Sequence, residues 1–184
     1  MPKKIIIGLV GEISAGKDTV ADYLKKKYKG ETVSFSQPLR NILDTMYLPQ
    51  TRANLAWLGI TLRAKFGQDI LAKVITAQTQ KNKAQIITLS NVRLMSDIKY
   101  LKKLPHFFLV RIDTDQKIRY SRLIKRKQNT DDKSKTWEQF LADSKLSTET
   151  AIRQVAKYAK YKLENNGDFK NLYQQVDELI KKLK

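Results

Sequence analysis

The chain has 184 residues, 41% of them hydrophobic and 29% charged, and a formal net charge of +18. Such a length and apolar fraction fit one globular domain with its own core. The charge fits anionic partners (nucleotides, nucleic acid, an acidic membrane) or simply a lysine-covered solvated surface. With no cysteine and His106 as the single histidine, disulfides, iron–sulfur clusters, Cys-ligated zinc and paired-histidine chemistry are excluded.

In "MPKKIIIGLVGE" the apolar run is too short for a signal segment or a membrane span, so a soluble, cytoplasmic protein is expected. Ile5–Val10 is continuously apolar and β-branched, as a parallel strand buried on both faces must be. A helix is expected over 19–28, with Val20, Tyr23, Leu24 and Tyr28 on one side, ending near Gly30. A second strand covers 31–35, and Pro38 sits in the first turn of the next helix. Residues 48–80 read as helical, interrupted by Pro49, Gly59 and Gly67. A third strand spans 84–90. Ser96 then caps a short helix that Pro105 terminates, and a fourth strand spans 106–112. Helices over 115–127 and 137–158 flank a polar loop, and a last strand near 158–165 leads through Gly167 to an amphipathic helix over 169–183. Strands alternating with helices give an α/β domain with a parallel sheet of five strands and right-handed crossovers.

Between the first strand and first helix lies "GEISAGKDT", with Gly11, Gly16 and Lys17 at phosphate-loop spacing. Glycines let the backbone turn tightly and approach phosphate oxygens. The helix start aims N–H groups at them, and the lysine neutralises charge. Gly11, Glu12, Ile13, Ser14, Ala15, Gly16, Lys17, Asp18 and Thr19 are therefore the candidate nucleotide-binding residues. The general signature places Ser or Thr directly after the lysine, to ligate magnesium. Here Asp18 intervenes and Thr19 follows.

The "GKDT" order resembles the loop of P-loop nucleoside and deoxynucleoside monophosphate kinases, in which a spacer separates lysine from threonine. "SFSQPLRNIL", "NVRLMSDIKYLKK" and "IDTDQKIRYSRLIKR" resemble the acceptor-side, Asp-Val-Arg and lid-helix segments of that family, and "YKLENNGDFKNLYQQVDELI" resembles the closing strand and helix of the dephospho-coenzyme A kinase branch. The resemblance spans nearly the whole chain. It implies a three-layer P-loop fold in one domain, 1–184, with an acceptor-binding insertion over about 37–80 and a lid over about 119–145. It also implies ATP and Mg2+ as cofactors. Arg93 would grip the acceptor phosphate, and Arg40 and Arg63 would line the acceptor site. Arg119, Arg122 and Arg126, on one helical face, would stabilise the transferring phosphoryl group alongside Lys17. Thr19 and Asp18 are the metal candidates, Asp18 otherwise capping the helix start.

One position departs from the family pattern. Asn91 stands where a magnesium-directed Asp is expected, leaving Asp18 or Asp113 as substitutes. Trp57, in "NLAWLGI", is expected in the core, and Trp137 under the lid helices. The implied function is ATP-dependent phosphoryl transfer to a nucleoside or deoxynucleoside monophosphate, with dephospho-coenzyme A as second acceptor. Non-catalytic nucleotide or nucleic-acid binding is the alternative that the charge and Asn91 favour.

Overall fold

An unbroken apolar strand is stable only where both faces of a sheet are covered, and β1 (Ile5–Val10) is buried along its whole length. In the computed structural model, which describes residues 3–125 and 132–184, β1 is the central strand. The others are β2 (Glu31–Ser34), β3 (Ile86–Ser90), β4 (Phe107–Asp113) and β5 (Tyr161–Glu164). Their order is β2-β3-β1-β4-β5, and every pairing is parallel. Ile5 registers with Ile86 and Ile6 with Phe107. The expected α/β fold with a parallel five-stranded sheet is the one observed.

The twofold alternation of β1 divides the core. Ile5, Ile7 and Leu9 face α1 (Lys17–Tyr28) and α9 (Phe169–Leu183), whose Val20, Leu24, Leu172 and Val176 fill that layer. Asp177 of α9 fastens the two helices, accepting hydrogen bonds from the hydroxyls of Tyr23 and Tyr28 and from Lys27. Burial and that bond push the Tyr28 hydroxyl pKa up to about 12.

Ile6 and Val10 face the other layer. It is built by α2 (Gln37–Thr45), α3 (Arg52–Phe66), α4 (Ile70–Lys81), α5 (Met95–Leu101) and α8 (Ser147–Ala156). Gly8 lies on this side with the Phe107 ring against it, 2.9 Å from where a Cβ would stand. The remaining helices are α6 (Gln116–Lys125) and α7 (Trp137–Ser144), the latter opening with a capping box between Thr136 and Gln139. No helix among the described residues is long and apolar enough to cross a membrane.

Three local expectations are corrected. Gly59 does not interrupt its helix. It is buried inside α3, with Leu39 and Arg63 at ordinary contact distance from its missing Cβ, so a small residue suits the α2–α3 contact. Ser96 is not a cap, because Leu94 takes that position and Ser96 lies within α5. Trp57 is not in the core but 56% exposed, since Leu55, Leu58 and Leu62 already occupy the inward face of α3. Trp137 is half-buried among Tyr120 and Phe140, ring centroids 5.2 and 5.6 Å away.

Candidate functional site

The chain leaves β1 at Gly11, where a Cβ would lie 2.8 Å from the carbonyl oxygen of Ile112, so only glycine passes β4 at this distance. The loop then turns through Ser14 at φ 59° and Gly16 at φ 99°, both left-handed. Gly16 is the N-cap of α1, and no side chain caps that terminus. Peptide N–H groups at the uncapped start of a 12-residue helix form an anion-binding end. Lys17 bends back across the loop, its Nζ donating to the carbonyls of Gly11 (2.7 Å) and Glu12 (3.0 Å). Asp18 lies one position inside the helix, exposed, so the helix-capping alternative is set aside. Thr19 follows in the same turn.

Side chains from the far end of the sequence brace the loop from beneath. The carbonyl of Ala15 accepts hydrogen bonds from Asn165 Nδ2 (2.8 Å) and the Thr114 hydroxyl (3.0 Å). Asn165 is buried where β5 ends, and its amide fills the space a Gly16 side chain would need. Arg122 donates to the Asn165 carbonyl (3.0 Å), and burial lowers its guanidinium pKa. Arg119, also buried, pairs with Glu12 Oε2 (3.1 Å) and donates from Nε to the Thr114 carbonyl (3.2 Å). Its guanidinium stands 5.5 Å over the Phe140 ring. Glu12 receives a second arginine on its other oxygen, Arg153 from α8 (2.9 Å), which also holds the Ser144 carbonyl at the end of α7.

Of the three expected lid arginines, Arg119 reaches the phosphate loop at Glu12, Arg122 reaches Asn165 beneath it, and Arg126 lies outside the described residues. Nothing in the sequence marks the ties of Glu12, Arg153, Thr114 and Asn165. The Asn-Asn-Gly turn after β5 was visible as a turn, but nothing local marks it as the support of a loop 150 positions earlier.

Asn91 follows β3 in the left-handed region, at φ 64°, where asparagine is better tolerated than most side chains. Its amide donates to Ser34 Oγ (3.3 Å). Asp113, at the end of β4, is paired with Arg111 (3.2 Å) and Lys162 (3.5 Å). Among the described residues, no three acidic or histidine side chains gather as a metal cluster. Magnesium seldom needs one: it keeps several waters and binds phosphates plus one or two protein oxygens. Thr19 and Asp18, neighbours in the first turn of α1, offer oxygen donors of that kind.

Among the residues expected to line an acceptor site, Arg40 donates to Gln50 (2.7 Å), bridging α2 to the turn before α3. Arg63 of α3 approaches Asp97 of α5 at 3.6 Å, and Asp97 is 1% exposed. Arg93 is exposed on the β3–α5 turn. Burial raises the Asp97 pKa, and Arg63 opposes that only in part. The folded state therefore binds the Asp97 proton more tightly than the unfolded chain, so this residue's contribution to stability falls as pH rises above about 4. Denaturant titrations of wild type and Asp97→Asn across pH 4–7 should show wild type losing stability relative to the variant. A constant difference would refute that reading of Asp97.

No family model matches the chain. Over 180 residues, 97% of each chain, it is 24% identical to a UPF0200 protein of Methanococcus maripaludis. With a UPF0200 protein of Pyrococcus abyssi the identity is 26% over 185 residues, again 97% of each. Among solved structures, TT1252 from Thermus thermophilus superposes with a TM-score of 0.66 at 19% identity, covering 99% of both chains. Shikimate kinase from Acinetobacter baumannii gives a TM-score of 0.56 at 19% identity, over 100% of this chain and 96% of that one. The parallel sheet, the loop after its central strand and these superpositions together give the chain the fold of the shikimate kinase-like P-loop kinases.

Proposed function

We propose that this protein transfers the γ-phosphoryl group of ATP to a small phosphorylated acceptor, a nucleoside or deoxynucleoside monophosphate in the first place. The observation that carries this reading is the loop: an uncapped helix start at Gly16, with Lys17 held across it and Arg119 beside it. Phosphoryl transfer asks little covalent chemistry of a protein and much positioning and charge stabilisation, which such a loop supplies. A carboxylate in a phosphate loop would repel the ligand. Arg119 and Arg153 together outweigh Glu12 and leave that end of the site positive.

In this reading the loop amides and Lys17 hold the donor phosphates. Thr19, Asp18 and Asn91 hold Mg2+, which supplies charge neutralisation on the phosphate oxygens. Arg93 takes the acceptor phosphate, with Arg40 and Arg63 shaping the insertion over 37–80. Arg119, held on Glu12 beside the loop, contributes positive charge toward the group in transfer, and Arg122 does so from beneath through its hold on Asn165. A phosphate acceptor needs no general base. Dephospho-coenzyme A is the second acceptor on the same chemistry. The net charge of +18 favours a different reading, nucleic-acid binding on this fold, which predicts affinity falling steeply with salt.

A coupled ADP-release assay with ATP and Mg2+ tests the proposal against nucleoside and deoxynucleoside monophosphates, dephospho-coenzyme A and shikimate. Release that requires one phosphorylated acceptor supports it. Release with shikimate moves the acceptor to a hydroxyl compound, and release with none, beside salt-sensitive oligonucleotide binding, favours the second reading. Asn91→Asp adds a charge that this φ tolerates, and the Ser34 hydroxyl, which accepts from the Asn91 amide, can turn to donate to the new carboxylate. The variant should reach half-maximal rate at severalfold lower Mg2+. An unchanged Mg2+ dependence takes Asn91 away from the metal.

A further inference from the structure

In a sheet whose strands all run one way, every strand starts at one end, and the helices returning from the far end finish there. Contacts tie that end of this chain together. Lys4 Nζ, before β1, donates to the carbonyls of Thr79 (3.2 Å) and Asn82 (2.7 Å) where α4 ends. Lys184, past α9, stands 5.9 Å over the Tyr28 ring at the end of α1. Lys102, at the end of α5, stands 5.4 Å over the ring of Tyr158, which follows α8. The phosphate loop lies at the opposite end, one length of β1 away, which is about 20 Å for six residues.

Charge is divided between the two ends. The segments "KKKYKG" (25–30), "KNKAQ" (81–85), "LKKLPH" (101–106), "KYAKY" (157–161) and "KKLK" (181–184) meet where the strands start, and none holds an acidic residue. All of their lysines are exposed. The bordering carboxylates Glu31, Asp177 and Glu178 are far outnumbered, and Asp177 is already paired with Lys27 (2.6 Å). At the phosphate-loop end the turns carry acids: Glu12, Asp18, Asp113, Asp115 and Asp168. Helix macrodipoles account for a cation in a last turn. They do not account for Lys29, Lys83, Lys103 and Lys160, which lie past the helices. Lysines crowded at one end repel one another, and a polyanion relieves that repulsion while shedding its own counterions.

The tyrosines decide which polyanion fits. Tyr28, Tyr100, Tyr158 and Tyr161 are interleaved with these lysines, and Lys103 and Lys160 stand 5.1 and 5.8 Å over the Tyr100 and Tyr161 rings. Tyr158 is 55% exposed, so a base can reach its ring. Ammonium groups around an accessible aromatic match a nucleic-acid strand, with phosphates on the cations and a base on the ring. A bilayer would take apolar anchors as well. Of the large hydrophobics exposed among the described residues, Tyr158 alone lies in the five segments. We infer that the end of the sheet remote from the phosphate loop binds a single strand of nucleic acid, with Tyr158 against a base and the lysines of the five segments along the phosphates. The inference stands apart from the kinase reading, because the two sites are separate and can be filled together.

Fluorescence anisotropy of the full chain with a labelled single strand of about 12 nucleotides tests it. Log Kd should rise with log salt at a slope of about 3, as roughly four phosphate contacts require. Lys102→Gln with Lys160→Gln should weaken binding roughly tenfold and lower the slope by about 1. Lys117→Gln with Lys170→Gln removes the same charge from the first turns of α6 and α9, at the phosphate-loop end, and should change little. Tyr158→Ala should weaken binding roughly tenfold with the slope unchanged, and Tyr158→Phe should keep the wild-type affinity. All of these positions are exposed, so circular dichroism should show the fold unchanged. Saturating ATP at matched ionic strength should leave the strand bound. No binding at low salt, equal losses from the two lysine pairs, displacement by ATP, or full affinity in Tyr158→Ala overturns the inference. Tighter binding to a duplex than to the single strand overturns it too. So does a preference for phosphatidylserine vesicles, which would give this end to a membrane.

Discussion

Gly16→Ala should destabilise the protein by about 3 kcal/mol and abolish nucleotide binding together with it. Two causes add. At φ 99° a side chain at this position is strained, costing about 1–2 kcal/mol. The new Cβ would also stand 2.1 Å from Asn165 Nδ2, so Asn165 must withdraw from the Ala15 carbonyl. Leaving buried polar groups without partners costs about 1–3 kcal/mol more. Denaturant unfolding of Gly16→Ala, Asn165→Ala and the double variant checks the account. If the two side chains compete for one space, the double variant is more stable than the sum of the single losses predicts. Strict additivity would show that the strain lies in the backbone alone.

Lys17→Ala should act the other way, with a large loss of activity and a small loss of stability. The ammonium bonds two loop carbonyls at a half-exposed position, so its removal costs about 1 kcal/mol. In the proposed reaction it is also the loop's own cation, set across the anion-binding helix start. Its loss should lower acceptor-stimulated ADP release by roughly a hundredfold or more. Steady-state kinetics beside a thermal melt distinguishes the outcomes. A variant that unfolds, or one that keeps its rate, removes Lys17 from the role proposed for it.

How far the sequence discloses this molecule depends on how local each cause is. A parallel strand covered on both faces must be apolar throughout, so Ile5–Val10 is readable without a partner in view. The same holds for Gly11, Gly16 and Lys17, whose spacing follows from the backbone path itself. Trp57 shows the limit. Apolar neighbours fit a core helix, but α3 has apolar residues around its whole circumference, and composition does not say which side meets solvent. Gly59 misleads for a related reason, since glycine disfavours a helix on propensity alone, and the tertiary setting of a buried position carries α3 through it. The bracing of the loop is illegible in principle. Arg153 reaches Glu12 across 141 positions and Asn165 reaches Ala15 across 150, and no short window contains both ends.

The strand order has a consequence for synthesis on the ribosome. β1 is made first, yet its neighbours in the sheet begin at Ile86 and Phe107. More than half of the chain must emerge before the apolar run at Ile5–Val10 is flanked on both edges, and the brace at Asn165 arrives later still. The segment that carries the phosphate loop is thus made before the strands that flank it and is among the last to be secured. Parallel sheets of this kind close their long-range pairings slowly. Until then the nascent strand offers a β-prone, uncharged edge to other chains, so aggregation during expression should track the time spent between β1 and β4 more than the stability of the finished protein.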